Sequence, residues 1–145
     1  MDHNEMFDSG GYNCAESVLA GVTGSMDAVN LATGFGGGIG RSGATCGAVT
    51  GAVMALGQVW SARNSDSEAA YGELQDGVRQ LLDEFSSEFG STLCRELIPY
   101  DLSTDEGRSA FSANDDGRSR CHEFVHRAVE LARRILADRG LDAAS

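Results

Sequence analysis

The chain has 145 residues, enough for one domain with a single core. It carries 22 Asp and Glu against 11 basic residues, all of them Arg, for a formal net charge of −11. Bulk electrostatics therefore exclude binding to nucleic acid or to anionic membranes, and Met1-Asp2-His3-Asn4-Glu5, without a basic start or apolar run, gives no sign of a secretory signal.

A glycine pair, Gly10-Gly11, precedes the first signalled element. Asn13 is placed to cap a helix, and Glu16, three residues on, completes a capping box. Val18, Leu19 and Val22 supply its apolar face, and Gly24 ends it. Ser25 caps a short helix through Leu31 and Ala32, stopped at Gly34. Gly36 to Gly43 is too glycine-rich for a regular element. A helix from Cys46 to about Trp60 follows, with Cys46, Val49, Val53, Leu56 and Trp60 on one face. Gly47, Gly51 and Ala55 form a second, small-residue stripe, which lets another backbone approach closely. This helix is apolar or small nearly all round, so it belongs at the centre of a bundle. It is too short and glycine-rich to span a membrane.

A polar link, Arg63 to Ser67, leads to the best-patterned helix, with Tyr71, Leu74, Val78, Leu81, Leu82, Phe85 and Phe89 at helical spacing and Gly90 as its stop. Ser91 or Thr92 caps a short helix carrying Cys94, Leu97 and Ile98, ended by Pro99. Asp101 to Asp116 reads as mostly loop. The last helix runs from about Arg118 to Arg139, with Phe124, Val125, Ala128, Val129, Ala132, Ile135 and Leu136 inward. No segment alternates like a strand. The expected fold is all-α, one helical domain over residues 1–145 around the glycine-rich central helix.

The chemistry rests on four cysteines, Cys14, Cys46, Cys94 and Cys121. No pair has Cys-x-x-Cys spacing, so neither a zinc ribbon nor a thioredoxin-type motif is present. Their shared feature is position near predicted helix starts, where free N–H groups and partial positive charge lower a thiol pKa. In a cytoplasmic, reducing setting such cysteines argue for metal or redox chemistry before structural disulfides. The alternative is four separate core cysteines, since free Cys is among the most buried residues. Cys46 stands out, because the glycine loop before it offers an anion-stabilising nest of unshielded N–H groups while its place on the apolar face desolvates it; the nest is expected to win at a functional sulfur and desolvation at a core one.

Two further patterns compete. Gly38-x-Gly40-x-x-Gly43 fits a dinucleotide fingerprint and makes these three glycines cofactor-binding candidates. No strand precedes it and no βαβ unit is present, so a structural turn is the better reading. His122-Glu123-Phe124-Val125-His126 fits a zinc-protease pair, but His126 and Glu123 fall toward the polar side of the helix. His122, at the edge of the buried face, remains a candidate metal ligand beside the thiols.

Cys46-Gly47-Ala48-Val49-Thr50-Gly51, with Gly11-Tyr12-Asn13-Cys14-Ala15-Glu16, Phe35-Gly36-Gly37-Gly38-Ile39-Gly40-Arg41, Cys94-Arg95-Glu96-Leu97 and the helix opening at Cys121, resembles the C_GCAxxG_C_C family of four-cysteine redox proteins. Pro99-Tyr100-Asp101 departs from it where a glycine-containing turn is expected. The resemblance implies that the four cysteines converge on one redox site. A related domain occurs in a multihaem cytochrome that also holds an iron–sulfur cluster; this chain has no Cys-x-x-Cys-His, so no covalent haem is implied.

The expected function is electron transfer or redox sensing through an iron–sulfur cluster or zinc on Cys14, Cys46, Cys94 and Cys121, with His122 as an additional candidate. Thiol–disulfide exchange by the same cysteines, or a non-catalytic partner subunit with structural cysteines, are the alternatives. A redox partner protein is implied, and a homo-oligomer is compatible with the sequence. The acidic, lysine-free composition resembles that of haloarchaeal proteins, in which salt screens self-repulsion.

Overall fold

The computed structural model describes residues 2–9, 11–63 and 68–141. Gly10 of the expected break and residues 64–67 of the polar link lie outside these. The helices are α1 (His3–Asp8), α2 (Cys14–Thr23), a 3-10 helix (Val29–Phe35), α3 (Gly47–Arg63), α4 (Glu68–Phe89), α5 (Cys94–Leu97), α6 (Asp105–Ala113) and α7 (Asp115–Asp138). Among the described residues no strand forms; the one β-type pairing is an isolated antiparallel bridge, Thr45 with Leu93. The fold is all-α, as expected. No helix among the described residues is long and apolar enough to cross a membrane.

α2 begins as its sequence dictates. The Asn13 side chain accepts from the Glu16 N–H, the Glu16 carboxylate accepts from the Asn13 N–H, and Gly24 closes the helix at φ 73°. α3 is the centre: α2, α4 and α7 all pack on it, and α2 and α7 also meet each other. The small-residue stripe makes the α2–α3 contact. A Cβ at Gly51 would lie 2.5 Å from the carbonyl oxygen of Ala15, so the α2 backbone rests directly on α3. Leu81 and Phe85 of α4 are fully buried, each worth about 1.5–3 kcal/mol by the apolar surface removed from water. Phe85, Phe89 and Phe124 then form an edge-on aromatic cluster between α4 and α7.

Several boundaries differ from expectation. α3 starts at Gly47 and continues to Arg63, leaving Cys46 as the residue before the helix. α7 starts at Asp115, so Cys121 lies nearly two turns inside it and has no helix-terminal amides. Tyr71 is 66% exposed, because it precedes the part of α4 that reaches the core. The segment after Gly24 forms a 3-10 helix from Val29. Asp101 to Asp116 contains α6, started by Thr104 accepting from the Gly107 N–H. It has no buried residue and packs chiefly on α7, so its weak apolar pattern hides it in the sequence.

α1 was not signalled by periodicity, being only six residues long. It is capped by Asp2 with Glu5 and anchored by buried Met6 and Phe7. His3 is also buried, with Nε2 3.2 Å from His126 Nδ1, and burial together with Arg133 and His126 holds its pKa below the ordinary imidazole value. His122 Nδ1 is 2.8 Å from the Asp8 carboxylate. α1 is thereby held across α2 and α7, with Phe7 beside the site described next.

Candidate redox site

Residues 34–44 form a tight loop of unusual hand. Gly37, Gly38, Ile39, Gly40 and Arg41 have φ of 65°, 69°, 68°, 56° and 66°, a left-handed turn of five residues. Glycine accepts this conformation freely, whereas an L-residue is disfavoured by about 1–2 kcal/mol. The turn is closed by backbone hydrogen bonds, Ile39 N–H to Phe35 O, Gly43 N–H to Gly37 O and Ala44 N–H to Gly38 O, each 3.1 Å. Gly38 must lack a side chain: its Cβ would lie 2.7 Å from Cys94 Cβ and 2.8 Å from the backbone of Ala44.

The strand-like pair beyond the loop fixes two cysteines at once. Cys46 N–H donates to Thr92 O at 2.8 Å, Cys94 N–H to Ala44 O at 2.7 Å and Arg95 N–H to Gly43 O at 3.1 Å. Cys14 arrives on the first turn of α2, and its sulfur sits over α3 where a Cβ on Gly47 would be only 2.3 Å away. Cys121 comes from α7. All four cysteines line one cavity of about 690 Å³, together with Gly37, Gly38 and Gly40. All four are free thiols.

Burial is the largest cause of a raised pKa at Cys46, Cys94 and Cys121, and repulsion between each of them and Cys14 adds to it. The Cys14 thiol is itself raised by burial, partly offset by the backbone amides of Gly37, Ala15 and Gly47. The amides of Ala48 and Val49, in the first turn of α3, act on Cys46, but burial and Cys14 push that thiol well above its usual range. Burial, then Cys14, pushes Cys94 up to about 11. Burial and the neighbouring thiols raise Cys121, against a small opposing effect of Arg118.

These findings correct two expectations. Helix starts do not leave any of the four thiols with a lowered pKa: loss of solvation outweighs the amides at Cys14 and Cys46, and no amide opposes it at Cys94 or Cys121. The glycine loop serves Cys14 rather than Cys46: Gly37 acts on the Cys14 thiol, and no loop amide figures among the main influences on Cys46. Chain adjacency points to Cys46, whereas the left-handed turn folds the loop back toward the start of α2, with Gly36 against Asn13.

Of the other candidates, Gly43 lies off the cavity against Arg95. His122 is paired with Asp8 and does not line the cavity. Among the described residues no three His, Cys, Asp or Glu side chains are grouped to hold a single metal ion. For an iron–sulfur cluster, whose ligands stand around several atoms rather than one, the donor set fits: four cysteines lining one open cavity with backbone amides beside two of them. Arg41, Arg108 and Arg118, with Phe7 and Phe111, also line this cavity. The glycine run before Arg41 is a sequence signal for that residue alone; no motif in the sequence marks Phe7, Arg108, Phe111 and Arg118 as site residues, and they are brought to the cavity by the fold.

A family model described as "Putative redox-active protein (C_GCAxxG_C_C)" matches residues 12–135. Nothing matches among curated proteins or among solved structures.

Proposed function

The chain belongs to the C_GCAxxG_C_C family, and from that premise we propose that it is an electron-transfer or redox-sensing protein whose four cysteines hold an iron–sulfur cluster. One observation carries the reading: cysteines from four separate parts of the chain, 14, 46, 94 and 121, line a single cavity. The raised pKa values favour a metal centre over thiol–disulfide exchange. Exchange needs a thiolate near neutral pH, and burial opposes one at each sulfur. A bound metal supplies the missing positive charge and takes the thiols as thiolates.

In this reading Cys14, Cys46, Cys94 and Cys121 are the ligands. The cluster supplies one-electron redox chemistry when bound. The amides of Gly37 and Gly47 offset negative charge at Cys14, and those of Ala48 and Val49 at Cys46. Phe7, Phe111 and Phe124 keep the cavity wall apolar and limit water, which tunes a redox potential. Electrons are exchanged with a redox partner protein.

The test is iron and acid-labile sulfide analysis of anaerobically purified or reconstituted protein, with a visible spectrum before and after dithionite. Iron with sulfide is expected, with loss in each Cys→Ser variant that keeps its helical circular dichroism. Absence of both from well-folded, reconstituted protein would overturn the reading. Reversible oxidation to disulfides in that same protein would assign thiol–disulfide exchange instead.

A further inference from the structure

The cavity has a charge pattern that its thiols do not explain. The chain carries twice as many acidic residues as basic ones, 22 against 11. Yet the cavity wall holds Arg41, Arg108 and Arg118 and, among the described residues, no Asp or Glu. This concave surface of an acidic protein is lined by positive charge alone.

The arginines differ in what they do. Arg108 is tied to the Asp105 carboxylate and the Leu102 carbonyl, so much of its charge is met. The Arg118 guanidinium lies 4.6 Å from the Phe7 ring centroid and donates to the Phe7 carbonyl; neither contact brings a negative charge. Arg41 is exposed, and its side chain has no hydrogen bond or ion pair among the described residues. It also sits at φ 66°, where glycine, the residue at three of the other four positions of the turn, would be easier. A disfavoured backbone kept under an unpartnered side chain points to a role outside the chain. Counter-charge for the sulfurs does not supply that role. Arg118 acts on Cys121, but Arg41 is not among the main influences on any of the four thiols.

Around the arginines the wall is largely apolar, with Phe7, Leu102 and Phe111. A volume of about 690 Å³ is in the range of small-molecule sites. We propose that this cavity binds a small organic anion, a carboxylate with an apolar body, whose head group pairs with the guanidiniums of Arg41 and Arg118 and whose body rests on Phe7, Leu102 and Phe111. Guanidinium and carboxylate match in shape and charge, which selects a planar carboxylate over a neutral amide of the same size. The head group and body contacts come from side chains other than the cysteines, and with a cluster on the cysteines the anion takes the part of this shared cavity that the cluster leaves open.

The test uses the full chain, purified anaerobically, with benzoate as the probe and benzamide as its neutral isostere. Binding is followed by calorimetry and by chemical-shift changes of the arginine side chains. Benzoate is expected to saturate the site with an affinity in roughly the millimolar range or better, and benzamide to bind at least about tenfold more weakly. Arg41→Gln should weaken benzoate about tenfold without moving the melting temperature, with Arg41→Lys intermediate. Arg118→Gln should also weaken it, but that variant loses its hold on α1, so Arg41 decides. No saturable benzoate binding up to about 10 mM, equal binding of the two probes, or full benzoate binding by Arg41→Gln would each overturn the proposal. Iron and sulfide content, measured on the same samples, is unaffected by any of these outcomes and reports on the redox reading separately.

Discussion

The sulfur of Cys14 occupies the space that a side chain at Gly47 would fill, with a Cβ there only 2.3 Å from it. The first glycine of the Cys46-Gly47-Ala48-Val49-Thr50-Gly51 motif is therefore a seat for a cysteine 33 positions earlier in the chain. The second, Gly51, seats the α2 backbone at Ala15. The motif places α2, and with it Cys14, against the start of the helix that follows Cys46.

Gly47→Ala should therefore displace Cys14 and reduce cysteine-dependent metal loading or redox titration. Gly51→Leu should cost stability, by about 1–3 kcal/mol or more, because overpacking a backbone contact leaves no flexible neighbour to give way. Thr50→Ala, at a half-buried position beside it, should cost much less. Melting curves of the three variants in molar salt check this; equal melting temperatures for Gly51→Leu and Thr50→Ala would mean the α2–α3 contact is not tight.

Cys14→Ser should perturb the remaining thiols more than Cys46→Ser does, since Cys14 acts on all three others. The expected result is a fall in the apparent pKa of Cys94 and Cys121 when Cys14 is replaced, read from pH-dependent alkylation and mass spectrometry of the reduced protein. Unchanged alkylation profiles would show that Cys14 does not repel the other thiols. Cys46→Ala should still abolish metal or redox behaviour while the helical signal persists, and retention of full behaviour would build the site from the other three.

Alkaline pH should destabilise the reduced protein. A Cys94 thiol that titrates near 9.0 when unfolded is pushed up to about 11 when folded. Between these values the unfolded state has lost protons that the folded state retains, so stability falls as pH rises. Cys14, Cys46 and Cys121 shift in the same direction and extend the effect. Thermal melts of the reduced protein from pH 8 to pH 11 should move steadily downward, and the slope should shrink in Cys94→Ser.

His3 gives the opposite slope on the acid side. Its folded pKa lies below its ordinary value of 6.5, so the unfolded state takes up a proton first as pH falls. Stability is complete above that value and is lost below it until the lowered folded pKa is reached. The groups that face it are Asp2, His122 and His126, with Arg133 adding repulsion to the protonated form. A melt series from pH 7.5 to pH 5 should show the loss, and His3→Gln should flatten it.

Removing salt should weaken the fold. With a net charge of −11, carboxylates repel one another over roughly 30 Å at 0.01 M ionic strength. Cross-helix pairs such as Arg127 with Glu88 and Arg134 with Glu84 offset only part of this. Melts that do not move between molar and millimolar KCl would contradict adaptation to high salt.

Most of the bundle was legible because its signals are local. Asn13 and Glu16 cap α2, Leu81 and Phe85 lie inward on α4, and Gly47 with Gly51 marks a close approach, all from spacing at the helical period. α6 reads as loop in the sequence because it has no fully buried residue, its Phe111 being only half-buried at the edge of the core. α1 escaped because a six-residue helix is too short for a period to show. The four cysteines could be picked out by type and by family pattern.

Tertiary structure alone decided the electrostatics of the site. A helix start lowers a thiol pKa through amides within a turn of chain, which sequence can locate, whereas desolvation sums over everything packed around the sulfur, which it cannot. At Cys46 the second effect wins, although the amides of Ala48 and Val49 are present. The left-handed turn at Gly37 to Arg41 sends its loop to Cys14 instead of to the adjacent Cys46. That turn also leaves Arg41 on a cavity wall without a carboxylate. Each depends on contacts between residues distant in the chain, where no local periodicity carries the information.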